Sequence, residues 1–354
     1  MGKNLSAAHL AWPFLLAVAA LIAPAGSASG GSGPLGAGLH HQVRFAGYSP
    51  LAGTRALLSR VLAPLAERRA LALYVARGQP VPEYTLDLTD EHFTVFVPAE
   101  PPPARGYPLL VFIPPWSRAD VPARWRGVLE GNGVAWVVAA NSGNGQPDLT
   151  RRMALALHAY ANVAARLPVD PGRVYLGGFS GGARVAAQLA LDYPEVFRGA
   201  ILDGGSDPVG SAHLPLPAPE LLDRAQQGLR LAYLFGSADA ASVAAAQASI
   251  RAARQWCLPA PVRLEMRGHP HEPADARTLQ RALRLLETPL GPRAGLAACR
   301  ARHEAARQAA VAEVDALLVS GQRDEALAAL RALDGRFAHY AGAQIERLAA
   351  RLGY

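Results

Sequence analysis

Lysine is almost absent from this chain of 354 residues, since Lys3 is the only one, and arginine supplies nearly all of the positive charge behind the net charge of +7. The arginines are scattered along the chain, and no zinc-finger spacing or basic helix occurs. Scattered charge of this kind is typical of a solvated surface. The sequence therefore predicts no nucleic-acid partner.

Long apolar runs are scarce as well. The one near the start, residues 10–22, follows Lys3 and is interrupted by Pro13, and small residues occupy positions 23–28. A charged start, a short apolar stretch and small residues are the order of a secretory signal peptide, and the stretch is shorter than the ~20 residues of a membrane span. We predict a signal peptide at residues 1–28, cleaved between Gly26 and Ser29, and export to the periplasm or the medium. A buried or membrane helix is the alternative. No later segment is long enough to span a membrane.

Cysteine is limited to Cys257 and Cys299. In an exported protein an even pair of cysteines is a candidate disulfide, and this one would connect the main domain to the C-terminal helices. Two unpaired, buried residues are the alternative, because spacing alone does not supply the geometry of a bridge.

Residues 43–290 alternate between apolar runs and segments with helical periodicity. Helical spacing occurs at 54–75, 149–167 and 183–191, for example. Alternation of this kind predicts an α/β fold, in which helices cover both faces of a mostly parallel sheet. Before it, residues 29–42 include a Gly/Ser-rich stretch and are expected to form a flexible lead-in. The predicted strands are 93–97, 109–113, 134–140, 174–176, 200–202, 231–235 and 262–266.

The last segment, residues 291–354, is rich in Ala, Leu, Arg and Glu and has no strand candidates. Helices are predicted at about 294–318, 323–333 and 337–352, with Gly321 and Gly335 at the turns. We interpret the segment as an all-helical appendage packed on the main domain. A surface for a protein partner is the alternative.

The strongest chemical signal is the G-x-S-x-G motif at residues 178–182, with Ser180 at its centre. A strand candidate precedes the motif and a helix candidate follows it. Such a turn exposes the serine above a sheet, and the helix N-terminus directs the Gly181 amide to where an oxyanion would form. A chance match in a glycine-rich chain is the alternative.

The sequence around this motif resembles a known family. Residues 173–182, with Tyr193-Pro194 and residues 197–200, are similar to the polyhydroxybutyrate-depolymerase and feruloyl-esterase branch of the α/β-hydrolases. The resemblance covers about residues 107–287. It implies an exported serine esterase with a Ser, Asp, His triad in that chain order.

Two further residues are assigned by this resemblance. Asp239, in a turn after the strand candidate 231–235, is the expected acid, with a helix-capping role as its alternative and with Asp203 and Asp207 as reserve candidates. His271 is the expected base, by comparison with the Gly-x-x-His-Glu-Pro ending of the family. His269 competes for the same role.

The chain departs from the family after the strand candidate 109–113. Esterases usually have His-Gly at this point, whereas this chain has Pro114 and Pro115, which carry no amide hydrogen. Trp116 is the first residue of the loop with an amide for an oxyanion hole. We also assign its indole and Phe179 to substrate binding. Simple packing of Trp116 over a proline turn is the alternative.

His269 and His271 are separated by one residue and would face the same side of an extended segment, as metal ligands can. No third ligand cluster accompanies them, because His40 and His41 fall in the predicted lead-in. We predict no metal site and no cofactor.

These observations predict a serine hydrolase that cleaves a carboxylic ester, small or polymeric, through an acyl-enzyme. Two alternatives are a serine peptidase of the prolyl-oligopeptidase type and an inactive hydrolase-fold protein that binds a partner through its C-terminal helices. The missing His-Gly pair keeps the inactive alternative open.

Overall fold

The computed structural model describes residues 33–146 and 148–354, so the predicted signal peptide lies outside the described residues. The described chain contains an eight-stranded sheet in the order β1-β2-β4-β3-β5-β6-β7-β8. β1 and β2 pair antiparallel to their neighbours, and all other neighbours are parallel. The strands are β1 Gly38–Val43, β2 Phe93–Val97, β3 Tyr107–Ile113, β4 Ala135–Ala139, β5 Val169–Phe179, β6 Gly199–Asp203, β7 Arg230–Gly236 and β8 Val262–Met266.

Helices cover both faces of this sheet, as the α/β-hydrolase fold predicted from the sequence requires. They are α1 Thr54–Val61, α2 Pro64–Ala76, α3 Ala123–Gly131, α4 Leu149–Ala164, α5 Gly181–Asp192, α6 Pro219–Gly228, α7 Ala240–Gln255, α8 Ala276–Glu287, α9 Leu296–Val319, α10 Arg323–Phe337 and α11 Gly342–Arg351. In the described residues no helix is long and apolar enough to cross a membrane.

The two faces of the sheet bury separate sets of side chains, because successive residues of a strand point to opposite sides. Along β3, Leu109, Val111 and Ile113 join the core that contains α1, α4 and α5. Leu110 and Phe112 join the core beneath α3 and α8. Every residue of β3 is therefore buried, which explains why its sequence is a continuous apolar run.

The structure corrects the predicted flexible lead-in. The end of that segment forms β1, in which Leu39 pairs with Phe96 and His40 with Val95. Backbone hydrogen bonds to β2 hold this edge strand, and its side chains are only half-buried or exposed. Its sequence consequently lacks the apolar run by which a strand is recognised.

The helix predicted at residues 54–75 is in fact two helices, α1 and α2. Pro64 occupies the first turn of α2, and Ala63 before it has an extended ψ of 151°. A residue that precedes proline is disfavoured in helical conformation, so the chain breaks there. The turn predicted at Gly335 is also displaced, because α10 continues through Gly335 to Phe337. The chain turns at Ala338, where φ is 41°, and the last helix begins at Gly342, later than the predicted 337.

The C-terminal helices α9–α11 share a core with the main domain. Val314, Leu330, Phe337 and Ile345 are buried in the same cluster as the side chains of α1 and α5. The backbone amide of Leu65 in α2 also donates to the Asp334 carboxylate at 3.2 Å. The predicted helical appendage is therefore present and packs on the rest of the described chain.

A disulfide joins Cys257, just after α7, to Cys299 in α9. The bridge closes a segment with a sequence separation of 42 residues. Such a link reduces the conformational entropy of the unfolded chain, more so for a longer loop. It connects the main domain to the first of the C-terminal helices.

We predict that Cys257→Ser/Cys299→Ser lowers the free energy of unfolding by up to ~4 kcal/mol, because the unfolded chain regains the closed loop's freedom. Urea unfolding of the wild type and the double variant, each with and without reductant, measures this. Reduction should destabilise the wild type and leave the variant unchanged. Equal midpoints for oxidised and reduced wild type would contradict the prediction.

Candidate active site

Ser180 lies on a sharp turn between β5 and α5, with φ of 55° and ψ of −122°. A non-glycine residue in this region of backbone space costs about 1–3 kcal/mol and is retained only where its surroundings enforce it. The Ser180 amide donates to the Asp203 carbonyl at 2.7 Å, and the Ser180 carbonyl accepts from the Ala183 amide at 3.1 Å. These bonds fix the hydroxyl at the carboxyl edge of the sheet.

Two glycines permit the close approach that the turn needs. A Cβ on Gly182 would overlap the Ile113 carbonyl at the end of β3, and a Cβ on Gly205 would overlap the Ser180 carbonyl. Neither obstacle is a flexible side-chain end that could move. The turn therefore packs in close backbone contact with the end of β3 and with the loop that follows β6.

His271 lies beside Ser180 on the loop that follows β8. Its Nε2 is 3.0 Å from Ser180 Oγ, and its Nδ1 is 2.5 Å from Asp239 Oδ2. With the proton on Nδ1, the ring donates to Asp239 and accepts from the serine hydroxyl. The competing residue, His269, is not in this chain of hydrogen bonds.

Asp239 precedes α7 and both orients His271 and caps the helix. Its Oδ1 accepts from the Ser242 amide at 3.2 Å. Burial raises the pKa of Asp239, but hydrogen bonds from Ser242 and His271 outweigh that effect, so its pKa lies below the usual range. The carboxylate is therefore ionised at neutral pH, as an imidazolium-stabilising group must be.

The reserve candidates occupy other positions. Asp207 Oδ2 lies 3.8 Å from Arg184 Nε. Asp203 Oδ2 accepts from the Ala274 amide at 2.7 Å, and its Oδ1 has no hydrogen-bond partner among the described residues. Burial raises the pKa of Asp203, while the Ala274 hydrogen bond and Arg124 lower it, and the net result is a pKa of about 8. Asp203 thus holds the loop that carries His271 and does not contact the histidine by a hydrogen bond.

Two amides are available for an oxyanion. Among the described residues, neither the Gly181 amide nor the Trp116 amide donates to a backbone or side-chain acceptor. The Pro115 carbonyl accepts from the Asn144 amide at 2.9 Å. Because a trans peptide points its C=O and N–H in opposite directions, the Trp116 N–H is directed away from the Asn144 backbone.

The rings of Trp116 and Phe179, which the sequence analysis assigns to substrate binding, lie next to each other. Phe179 is buried, and its ring centroid lies 4.9 Å from that of His271 and 6.3 Å from that of Trp116. Neither ring lines the cleft that opens beside Ser180. Phe179 belongs to the apolar core beneath α3 and α8, and the half-buried Trp116 packs against that core. The indole of Trp116 thus makes the packing contact raised as the alternative, and its part in substrate binding stays a prediction.

The cleft beside Ser180 has a volume of about 380 Å³. Its walls include three polar side chains that sequence reasoning missed: Asn144, Arg184 and Ser242. Ser242 Oγ lies 3.3 Å from His271 Nδ1 and donates to the Gly204 carbonyl at 3.0 Å. The only sequence signal for Asn144 is its place in a Gly/Asn-rich loop after a strand.

One group of metal-ligating side chains occurs in the described part of the chain, formed by Cys257, Cys299 and His303. Both sulfurs are in the disulfide and are not thiolates, the form that binds metal. His271, for its part, uses both ring nitrogens in contacts with protein side chains.

A known family model matches part of the chain. The family model described as esterase PHB depolymerase matches residues 136–255, a segment that contains Ser180 and Asp239 but ends before His271. This confirms the resemblance predicted from the sequence and supports an esterase of the α/β-hydrolase type. No curated protein matches the chain.

Several solved structures are similar at low identity. Est1E from Butyrivibrio proteoclasticus has 15% identity and a TM-score of 0.40, and the match covers 55% of this chain and 92% of that one. An S-formylglutathione hydrolase from Staphylococcus aureus has 14% identity and a TM-score of 0.44, and the match covers 72% of this chain and 98% of that one. A protein described as a dipeptidyl aminopeptidase IV from Bacteroides ovatus has 20% identity and a TM-score of 0.39. That match covers 56% of this chain and 34% of the other, so this chain spans about a third of that protein.

We predict that Asp203→Asn makes stability less dependent on pH. Since the folded-state pKa of about 8 exceeds the ordinary value of 3.8, the carboxyl's contribution is complete only below that ordinary value and is lost as the pH rises to about 8. Unfolding free energies measured from pH 4 to 9 should therefore fall more steeply for the wild type. Asp90→Asn, at an exposed position, is the control, and parallel curves for wild type and Asp203→Asn would contradict the assignment.

Proposed function

We propose that the protein is a serine esterase that cleaves a carboxylic ester through an acyl-enzyme, with Ser180 as nucleophile, His271 as base and Asp239 as orienting acid. The observation that carries the proposal is the continuous chain of contacts from Ser180 Oγ through His271 to Asp239. The esterase family match over residues 136–255 supports the same reaction class.

In the first half of the reaction, His271 Nε2 accepts the proton of Ser180 as Oγ attacks the ester carbonyl. Positive charge then develops on the imidazole. The ionised Asp239 stabilises that charge and holds the ring in the tautomer whose Nε2 is free to accept. His271 next gives the proton to the departing alkoxide, and the alcohol leaves.

In the second half, water replaces the alcohol. His271 takes a proton from the water, which attacks the acyl carbon bonded to Ser180, and the proton returns to Oγ as the carboxylic acid leaves. The His271 side chain is 45% exposed, so water has access to Nε2 once the alcohol has gone. The acid product and the free serine complete the turnover.

In both halves the negative charge on the carbonyl oxygen needs donors. We assign the amides of Gly181 and Trp116 to this role, since neither has another acceptor among the described residues. The fixed φ angles of Pro114 and Pro115 stiffen the loop that presents the second amide. Rigid donors need no reorganisation when the charge develops.

Export is part of the proposal. The predicted signal at residues 1–28 and the disulfide between Cys257 and Cys299 both fit an oxidising compartment. We expect the exported protein to begin between Gly26 and Ser29. Intact mass of the protein recovered outside the cytoplasm measures this, and a retained Met1 would contradict it.

For the triad, we predict that Ser180→Ala and His271→Ala each lower kcat/KM for a simple ester by on the order of 10⁴-fold, and that the double variant is little worse, because the residues act as a unit. His269→Ala is the matched control and should cost far less. A fluorophosphonate should label the wild type at Ser180 and not Ser180→Ala. Absence of both labelling and hydrolysis in the wild type would leave the inactive alternative standing.

For the oxyanion hole, we predict that Trp116→Pro lowers kcat by on the order of 10²- to 10³-fold, because it deletes one amide donor. Trp116→Ala retains the amide and should cost much less, which separates the donor from the ring. Circular dichroism shows whether each variant folds. A folded Trp116→Pro with wild-type turnover would refute the assignment of this amide.

A further inference from the structure

A second cavity, of about 310 Å³, adjoins the cleft beside Ser180. It lies among the end of α1, the first turn of α4, one face of α5 and the loop after β6, and it shares Gly181 and Arg184 with the cleft. A ligand that reaches from Ser180 past Gly181 would enter it. Its volume is enough for a group of several non-hydrogen atoms.

Arg152, in the wall of this cavity, is a buried cation without a counter-ion. It is 3% exposed, and it donates to the Ser142 carbonyl at 2.6 Å and to the Pro114 carbonyl at 3.0 Å. A guanidinium has five N–H groups, so neutral carbonyls take only part of its capacity. No carboxylate of the described residues forms an ion pair with it. Burial lowers the pKa of Arg152 to about 10, which leaves it charged at neutral pH.

Arg184 is the second cation of the cavity and stands where the cavity meets the cleft. It lies one helical turn after Ser180 on α5, and its side chain is 58% exposed. The other titratable side chains in the wall are Asp207, 3.8 Å from Arg184, and His213. Two arginines thus face a single carboxylate, and an unpaired buried charge is costly unless an anion compensates for it.

The remaining walls are largely apolar. Val61, Leu62, Met153 and Val185 are among the residues that line the cavity. A ligand that fits would therefore have a short aliphatic stem and an anionic end. A carboxylate suits a guanidinium best among common ester substituents, because the two planar groups form paired, charge-assisted hydrogen bonds.

We propose that the preferred substrates are esters that carry a free carboxylate a few bonds from the scissile carbonyl, held by Arg152 and Arg184. This inference rests on the proposed esterase function and names its substrate class. The carboxylate can belong to the acyl part, as in a monoester of a dicarboxylic acid, or to the alcohol part, as in an ester of a hydroxy acid. Water adds across the same acyl C–O bond in both cases.

Two substrate pairs test the proposal on the full-length protein. On the acyl side, kcat/KM for monomethyl glutarate is compared with that for methyl pentanoate. On the alcohol side, the acetate ester of β-hydroxybutyric acid is compared with the same acetate ester in which a primary amide replaces the free carboxylate. We expect the charged member to be preferred by about tenfold or more in one pair, which identifies the side that carries the carboxylate.

The variant Arg184→Gln then separates recognition from general attraction by a cationic protein. It should reduce the preference about tenfold, while Arg331→Gln, which removes an equal charge from an exposed position on α10, should leave the preference unchanged. Free glutarate should inhibit hydrolysis of methyl pentanoate competitively, more weakly in Arg184→Gln.

Equal rates for charged and neutral esters, or a preference that survives Arg184→Gln, would overturn the inference while the esterase function stands. Failure of all four esters, together with no fluorophosphonate labelling of Ser180, would overturn the esterase function itself. An equal loss of preference in Arg331→Gln would assign the effect to net charge and would also overturn the proposed site.

Discussion

The positive φ of Ser180 is the constraint on which the site depends. The serine hydroxyl is directed out of the sheet only because the backbone is held in a conformation that non-glycine residues rarely adopt. The hydrogen bond from its amide to the Asp203 carbonyl, and the absence of side chains at Gly182 and Gly205, hold that turn. The core of α5 and β5 therefore serves two purposes, since it stabilises the fold and enforces the turn.

Asp203 connects this turn to the loop of His271. Its carbonyl accepts from the Ser180 amide, and its buried carboxyl accepts from the Ala274 amide. The Ala274 carbonyl in turn accepts from the Trp125 indole at 2.7 Å, which fixes the loop against α3. Ala274 is thus held through both its amide and its carbonyl and anchors the loop. His271 lies three residues before this anchor, and the anchor keeps its side chain within reach of Ser180.

Arg152 likewise connects two loops near the site. Its bonds to the Pro114 and Ser142 carbonyls join the loops after β3 and β4, and both loops border the candidate oxyanion site. The same guanidinium faces the second cavity. One buried cation therefore links the conformation of the Trp116 loop to the electrostatics of the space where we propose that the substrate's carboxylate binds.

Local sequence determined most of the framework: the apolar runs that became β2 to β8, the helical periodicity, and the glycine-flanked serine between a strand and a helix. These features depend on neighbouring residues and on burial, which sequence patterns record directly. The resemblance supplied Asp239 and His271, whereas local pattern alone left His269 and His271 equivalent. Tertiary structure decided what depends on distant contacts: the pairing of β1, the break before Pro64, the approach of His271 to a serine 91 residues away, and the packing of Phe179 beside His271. It alone brought Arg152 and Arg184 to one cavity, because a guanidinium's counter-ion, or the lack of one, is set by which helices and loops meet around it and leaves no periodic mark in the chain.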